Sequence, residues 1–582
     1  MGLLFFRSNV SLYLMAIHRS LGKITTPLSH LPTWFFIIGY PMYWLQLYTH
    51  TASDGVTSPV SWILFGIIAI FIGSAGPGSS LVSGAPDSSA ALSATRKVVS
   101  INRPIGQSPS APDTKSSPPA DTQLNNYEKF FWTAASVIAL IIIGIVVIAS
   151  LKPIHLLQEY DCLQYHYTLP RQHLILGSFA HIPWAADDLF LLPVDFALAP
   201  FWFATLLPNK IPQLIIFFGL ISVAVRLTSA LATERRPLAG PLAVLVILGT
   251  HGFGIQMGTG MLDLAIAYLF LASLDSLRLG NWFLAGVEFT FFFWSKPLMP
   301  LGVMITMGAW ALCLVIARRS HWQITGIVIL NNWKKALGLF TALSVVVAGP
   351  FIVKSIYYAA TPFFPLAPGF MGTWGNIQIH PLSWHSLQQA SQLWMGSNSY
   401  GHGQGLLSFI KHWWLLAVPE KGVNNTFDYP LGLTYLLMIG PFLFFLVKDI
   451  LRRKFPLLSV LAAVIWGLWW FTAQQSRFLY VPLLIVFIVT LSRLEKVSRG
   501  LFLCLLISLF LEALSLWGAH KSDMGKWGVD VLRTQDKQLL ELNLRYREHF
   551  LSNYIDWPSH DAAYAQFPVM VHKENLPHTI FF

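Results

Sequence analysis

Long apolar runs separated by short polar stretches dominate this chain. A helix that crosses a membrane needs about 20 mostly apolar residues, because the hydrocarbon layer is about 30 Å thick. Runs of this kind, some of them short or interrupted by proline, occupy residues 33–49, 60–75, 130–150, 211–232, 238–256, 259–278, 281–295, 297–317, 336–356, 430–447, 456–473, 478–492 and 499–518. The pattern therefore predicts an all-α polytopic membrane protein with about thirteen transmembrane helices.

Two further apolar stretches are not expected to cross the membrane. Residues 189–207 contain Asp195 and are interrupted by prolines, and residues 405–418 are short and contain Lys411. A charge or a helix break at membrane depth is tolerated where the segment is buried in protein or lies at the interface. Both stretches are therefore predicted to form re-entrant or interfacial helices.

Basic residues indicate the orientation of the helices, because Lys and Arg stay on the cytoplasmic side during insertion. The basic clusters comprise Arg19 with Lys23, Arg96 with Lys97, Arg235 with Arg236, Arg318 with Arg319, Lys334 with Lys335, Arg452 to Lys454, and Arg493 to Arg499. All of them can lie inside if the two short stretches do not cross. Three polar regions, residues 151–188, 357–429 and 519–582, then face outward and bound one external chamber.

The same pattern divides the chain into four parts. Residues 1–76 form a two-helix membrane hairpin, whose simplest interpretation is an extra anchor. Residues 77–126 are rich in Ser, Pro, Gly and Ala, bury too little apolar surface to fold, and are predicted to be a disordered linker. Residues 127–518 form the transmembrane core, and residues 519–582 form an external tail.

Composition and charge exclude two broad classes of protein. Hydrophobic residues make up 54% of the chain and charged residues 11%, against roughly 25% charged in a soluble domain. The net charge of +11 is scattered between apolar runs rather than gathered on one face, which argues against nucleic-acid binding. The three cysteines show neither a disulfide framework nor a zinc-ligand spacing.

The loop that follows the run at residues 130–150 carries the most informative polar residues. Asp161 lies just beyond a predicted spanning helix, at the depth of a lipid head group, and Tyr165 shares its face if the segment is helical. His166 is adjacent. A carboxylate at this place can act as a general base towards an acceptor hydroxyl or amine. The alternative is a polar interfacial loop in which Asp161 only caps a helix.

The order of short motifs resembles a known family. The pattern Asp161-x-x-x-Tyr165-His166, followed by Leu169-Pro170-Arg171 just after a transmembrane helix, resembles the first external loop of bacterial GT-C membrane glycosyltransferases. That group is related to the protein O-mannosyltransferase and aminoarabinose transferase families. Residues 261–264, 361–366 and 474–479 are similar to further segments of the group, in the same order, and the likeness covers roughly residues 130–518.

The resemblance implies a GT-C type helical bundle that transfers a sugar at the outer face of the bacterial inner membrane. The donor would be a polyprenyl-phosphate-linked sugar, and the acceptor a lipid, a glycan or a protein. Asp161 would act as the general base of an inverting transfer. Asp187 or Asp188 would supply a second carboxylate, unless either simply caps the helix expected to begin at Leu189.

Three cations on the predicted outer side are candidates for binding the departing lipid phosphate, namely Arg171, Lys296 and Arg477. Lys296 lies at a turn between two apolar helices, where a charge requires a partner. Asp263 lies about one turn inside the outer boundary and can bind the sugar, orient a cation, or pair with His251. No pair of histidines has a spacing typical of metal ligands, so no metal ligand is assigned. Whether the activity depends on a metal ion stays open.

Two other functions remain open at this stage. A transporter or lipid flippase would move its substrate without a covalent change, and it often has two matching halves, of which this sequence shows no sign. A non-catalytic scaffold would keep the fold without the chemistry. Consumption of a lipid-linked sugar separates the enzyme from both alternatives.

Overall fold

The computed structural model describes residues 29–44, 46–47, 126–152, 161–181, 186–202, 209–232, 238–325, 332–371, 391, 401, 403, 405–418, 427–472, 474–494 and 498–520. The predicted hairpin helix at residues 60–75, the linker up to residue 125 and the tail from residue 521 lie outside these ranges. So does much of the second predicted outer region, at residues 372–390 and 392–400.

The described chain is mostly helical. In chain order the helices are α1 (29–44), α2 (Asn126–Ser150), α3 (Thr168–Leu176), α4 (Pro193–Trp202), α5 (Ile211–Leu231), α6 (Ala239–Leu248), α7 (His251–Gln256), α8 (Asp263–Arg278), α9 (Trp282–Phe293), α10 (Met299–Arg319), α11 (Trp333–Ala359), α12 (Leu406–Leu415), α13 (Leu433–Leu451), α14 (Leu457–Phe471), α15 (Tyr480–Arg493) and α16 (Arg499–His520). A π-helical turn at Cys162–His166 and 3₁₀ turns at Ala186–Leu189 and Ser476–Leu479 connect them. Strands β1 (Gln323–Thr325) and β2 (Lys454–Pro456) pair in parallel, with Gln323 opposite Lys454.

Among the described residues, seven helices are long and apolar enough to cross a membrane. They are Tyr127–Ser150, Ile211–Leu231, Met299–Arg319, Trp333–Ala359, Leu433–Leu451, Ser476–Arg493 and Arg499–Ala519. Three shorter apolar helices, α6, α9 and α14, accompany them. The prediction of an all-α membrane protein is confirmed at this level.

One predicted spanning run is not a single helix. Residues 238–256 divide into α6 and α7, because Thr250 has an extended backbone between them. The break is stabilised from both sides: the Thr250 hydroxyl donates to the Val246 carbonyl at 2.7 Å, and the His251 amide donates to the Leu431 carbonyl at 3.1 Å. A tertiary contact with the loop before α13 therefore ends α6, which the hydrophobic run alone does not reveal.

The two stretches predicted not to cross form ten-residue helices, α4 and α12. Ten residues at 1.5 Å per residue span about 15 Å, half the hydrocarbon thickness. Every residue of α4 is buried, as in a re-entrant segment enclosed by protein. On α12, by contrast, Leu406, Ile410 and Trp414 are mostly exposed while His412 is buried, a pattern typical of an interfacial helix.

Helix α1 is part of the same bundle. The Thr33 hydroxyl donates to Glu288 Oε1 at 2.6 Å, and the Tyr40 hydroxyl donates to the Val347 carbonyl at 2.8 Å. At Gly39 the backbones approach so closely that a Cβ atom would lie 1.9 Å from the Ala197 carbonyl oxygen. By these contacts, residues 29–44 belong to the core rather than to a peripheral anchor.

The described helices begin and end at two opposite ends of the bundle. At one end, the Tyr127 hydroxyl donates to the Arg499 carbonyl at 3.0 Å, Arg493 pairs with Asp449, and β1 pairs with β2. At this end also lie the described basic residues Arg318, Arg319, Lys334, Lys335, Arg452, Arg453, Lys454, Arg493 and Arg499. At the other end lie the last turn of α2, the first residue of α8 and the 3₁₀ turn before α15. Several of the predicted functional residues meet there.

Candidate active site

Five charged side chains meet at the helix ends opposite the basic clusters. We call Asp161, Asp263, Lys296, Asp428 and Arg477 the charged cluster. They come, respectively, from the residue before the π-helical turn, the first residue of α8, the turn between α9 and α10, the loop before α13, and the 3₁₀ turn before α15. Four of the five are sequence-predicted site residues, separated by as many as 316 positions. The fold therefore brings together four of the nine predicted site residues in this cluster.

Arg477 lies between two carboxylates. Its Nη1 atom donates to Asp161 Oδ2 at 2.6 Å, and its Nε atom lies 3.1 Å from Asp428 Oδ2. The Nε–H group also donates to Gln475 Oε1 at 3.1 Å, which fixes the plane of the guanidinium. All three charged side chains are largely buried, so each charge requires its partners.

Lys296 and Asp263 form the second ion pair of the cluster. Lys296 Nζ donates to Asp263 Oδ1 at 2.5 Å, and Gln256 Nε2 donates to Asp263 Oδ2 at 2.9 Å. The Phe478 ring joins this pair to the first one: Lys296 Nζ lies 4.7 Å and Arg477 Cζ 5.6 Å from its centroid. An aromatic face attracts cations, so it holds the two positive charges side by side.

Local sequence places both members of the second pair. Asp263 occupies the first residue of α8, where the helix dipole favours a negative charge. Helix α9 ends at Phe293, and the Ser295 hydroxyl donates to the Phe292 carbonyl at 2.8 Å, which tightens the turn that carries Lys296. The Trp294 ring lies parallel to the Phe363 ring at 6.5 Å, so the segment at residues 361–366 packs beside this turn.

The Asp161 carboxylate is ionised at neutral pH. Burial raises its pKa, but the Arg477 guanidinium, together with His166 and Lys296, outweighs burial, and the pKa falls below its ordinary value. Tyr165 is buried beside it. The carboxylate is thus available as a proton acceptor, although a base with a low pKa requires help from its surroundings to become basic during a reaction.

Asp428 is a cluster member that the sequence analysis missed. Its φ of +78° is left-handed, and the loop around it is clamped to Ser476: the Ser476 amide donates to the Phe427 carbonyl at 2.7 Å, and the Tyr429 amide donates to Ser476 Oγ at 3.1 Å. Burial raises the pKa of Asp428 to about 6, against the lowering effect of Arg477. A lone Asp in a long predicted outer loop forms no motif, so the sequence did not indicate it.

His166, a predicted binding residue, is held by a second carboxylate, that of Asp195. Its Nδ1 atom pairs with Asp195 Oδ1 of the buried helix α4, and both side chains are nearly inaccessible. The His166 ring lies 4.2 Å from the Tyr165 ring. Because the imidazole is held by Asp195, His166 and Tyr165 form the rigid wall beside Asp161, and Asp195 has a role beyond interrupting an apolar run.

Asp188, a candidate for the second carboxylate, forms ion pairs with other residues than Asp161 does. Its carboxylate contacts His173 Nε2 at 2.6 Å, Lys354 Nζ at 2.7 Å and His181 Nδ1 at 3.2 Å. Burial raises the pKa of Asp188, but Lys354 and His173 together bring it well below its ordinary value. These three partners, His173, Lys354 and His181, are not members of the charged cluster, and the 3₁₀ turn that carries Asp188 packs against α11.

The remaining candidates also lie outside the charged cluster. Asp187 is the partly buried neighbour of Asp188 on the same 3₁₀ turn, and its carbonyl accepts from the Phe190 amide at 2.9 Å. The expected cap at Leu189 does not form, because α4 begins at Pro193. Arg171 lies within α3 and is partly buried. The described residues contain no group of three or more His, Cys, Asp or Glu side chains that could hold a metal ion.

Chemically, the charged cluster offers an ionised carboxylate beside two cations at the end of a helical bundle. A comparison of the chain with protein-family models, with curated proteins and with solved structures found no match. A functional assignment therefore depends on this geometry and on the motif resemblance.

Proposed function

We propose that this protein is a membrane glycosyltransferase that transfers a sugar from a polyprenyl-phosphate-linked donor to an acceptor at the outer face of the membrane. The observation that supports it most is the ionised Asp161, held 2.6 Å from Arg477 with Lys296 nearby. A base and two cations at one place match the needs of a transfer that takes a proton from the acceptor and releases a phosphate.

In the proposed reaction Asp161 accepts the proton of the acceptor hydroxyl or amine. The acceptor atom forms a bond to C1 of the sugar while the bond between C1 and the phosphate oxygen breaks, and its electron pair leaves with the lipid phosphate. A single displacement of this kind inverts the anomeric centre. Tyr165 and His166 would orient the acceptor beside Asp161.

The leaving phosphate carries negative charge next to a low-dielectric layer, where fixed cations stabilise it strongly. Arg477 has five N–H donors, and its described contacts to Asp161 and Gln475 use two of them. Lys296 Nζ lies 4.7 Å from the centroid of the Phe478 ring, which Arg477 also contacts. The two cations can therefore bind one phosphate together, and Asp263 would keep Lys296 in place.

The proposed architecture is a GT-C type bundle of about thirteen crossings in a bacterial inner membrane. It is supported by the seven long apolar helices and by the position of the charged cluster at the end opposite the basic clusters. Because basic clusters stay inside, the charged cluster would face the periplasm, where α12 would lie in the outer head-group region.

A transporter or flippase is the second candidate. Every charged side chain of the cluster is paired with another, and paired ionisable groups at membrane depth also mark ion and substrate pathways. The two functions differ in one outcome: a transporter leaves its substrate chemically unchanged.

The test is mass spectrometry of membrane lipids and surface glycans from cells that express the protein, lack it, or express Asp161→Asn. We expect lipid-linked sugar to accumulate, and one sugar-modified product to disappear, in the cells without the protein and equally in the cells with Asp161→Asn. Asp449→Asn is the matched control, because it disrupts a carboxylate–arginine pair at the opposite end of the bundle. Sugar transfer by Asp161→Asn at the normal level would refute the proposal.

A further inference from the structure

We infer that Asp428 is a positioning residue of the proposed reaction, the second anionic partner that keeps Arg477 in place while Asp161 carries the acceptor's proton. The inference rests on the proposed function. It assigns a role to a residue that no motif indicated.

The geometry gives Arg477 two carboxylates on different edges. Asp161 is reached through Nη1 and Asp428 through Nε, at 2.6 and 3.1 Å. The Nε–H group donates to Gln475, and Asp428 Oδ2 has no hydrogen-bond donor of its own in the described structure. In the resting state Asp428 is therefore a close ionic neighbour of Arg477, whereas Asp161 holds the hydrogen bond.

Proton transfer changes this balance. When Asp161 accepts a proton it loses its charge, and the largely buried guanidinium loses its main counter-ion. A buried charge without a partner is strongly unfavourable. A second carboxylate on the same guanidinium removes this penalty, because Arg477 can transfer its hydrogen bonding to Asp428 without leaving the Phe478 ring.

The backbone supports a dedicated position for this carboxylate. Asp428 has a left-handed conformation that non-glycine residues adopt infrequently, and Ser476 clamps the residues on both sides of it. Residues held in such conformations by their surroundings cluster at functional sites. The clamp residue Ser476 directly precedes Arg477, so the same turn fixes the carboxylate and the cation.

The ionisation of Asp428 predicts how the rate of sugar transfer depends on pH. Its pKa of about 6 means that it is charged at neutral pH and neutral in mild acid, so the rate falls as the pH falls through about 6. Asp161, whose pKa is lowered, adds a second fall at lower pH. The described charged and titratable groups that face Asp428 are Arg477, Asp161, Asp263, Lys296, Tyr429 and Tyr480.

The experiment measures the pH dependence of sugar transfer by full-length wild-type protein, Asp428→Asn and Asp428→Gly in the same membranes. Both substitutions suit a positive φ, so both keep the loop while removing the carboxylate. We expect each to lower kcat roughly ten- to hundredfold at pH about 7.5, with little change in KM for the donor, and to abolish the fall near pH 6. Asp428→Glu should retain that fall.

Two results separate the inference from the function on which it depends. If Asp161→Asn is inactive while Asp428→Asn keeps the wild-type rate and the fall near pH 6, Asp428 has no positioning role. If Asp161→Asn is active, the proposed function itself fails. A loss of activity in Asp428→Asn with the fall near pH 6 unchanged would show a structural role only and would overturn the inference.

Discussion

Arg477 organises the charged cluster at the residue scale. It holds two carboxylates, shares an aromatic ring with Lys296, and follows the serine that clamps the Asp428 loop. The Asp188 carboxylate differs from this arrangement. It pairs with Lys354 and two histidines, and its side chain is almost inaccessible to solvent. The first arrangement keeps donors for a ligand, whereas the second forms a closed network within the protein.

The closed network around Asp188 predicts a stability effect rather than a chemical one. Asp188→Asn should lower the free energy of unfolding by about 3–5 kcal/mol, because it leaves the Lys354 charge buried without its counter-ion. Thermal unfolding in detergent micelles measures the loss, and Asp187→Asn, with an expected change of about 0.5 kcal/mol or less, is the adjacent control. A normally stable Asp188→Asn protein that transfers no sugar would instead place Asp188 in the chemistry.

Close backbone contacts rather than hydrophobic length determine the positions of several elements. Helix α1 reaches the core because Gly39 permits contact with α4, and α6 ends because Thr250 meets the loop before α13. A hydropathy profile shows neither the Gly39 contact nor the end of α6 before Thr250. The sequence consequently predicts the existence of these apolar segments but not the break at Thr250 or the docking of residues 29–44.

The α1 contact can be tested with a pair of glycine substitutions. Gly39→Ala places a methyl group 1.9 Å from the Ala197 carbonyl oxygen, which the backbone must move to accommodate, so we expect a loss of about 1–3 kcal/mol in unfolding free energy. Gly144→Ala on α2 meets no atom within 4 Å and should be neutral or stabilising by up to about 1 kcal/mol. Equal effects of the two substitutions on thermal unfolding would contradict the tight contact.

At the scale of the whole molecule, four of the five members of the charged cluster are residues that the sequence indicated, and Asp428 is not. Asp161, Asp263, Lys296 and Arg477 each border an apolar run on the predicted outer side, and a bundle of alternating helices brings such positions to one end. Asp428 was missed because it lies in a long loop whose path depends on tertiary hydrogen bonds to Ser476.

The most direct test of the central claim is single-turnover release of polyprenyl phosphate from a lipid-linked sugar by the purified protein in lipid nanodiscs with acceptor. Wild-type protein and Asp449→Asn should release the lipid phosphate and form the sugar–acceptor product in equal amounts. Asp161→Asn should be slower by about 10² to 10⁴, the usual contribution of a general base, while still binding the donor. Product formation by Asp161→Asn at the wild-type rate would contradict the account.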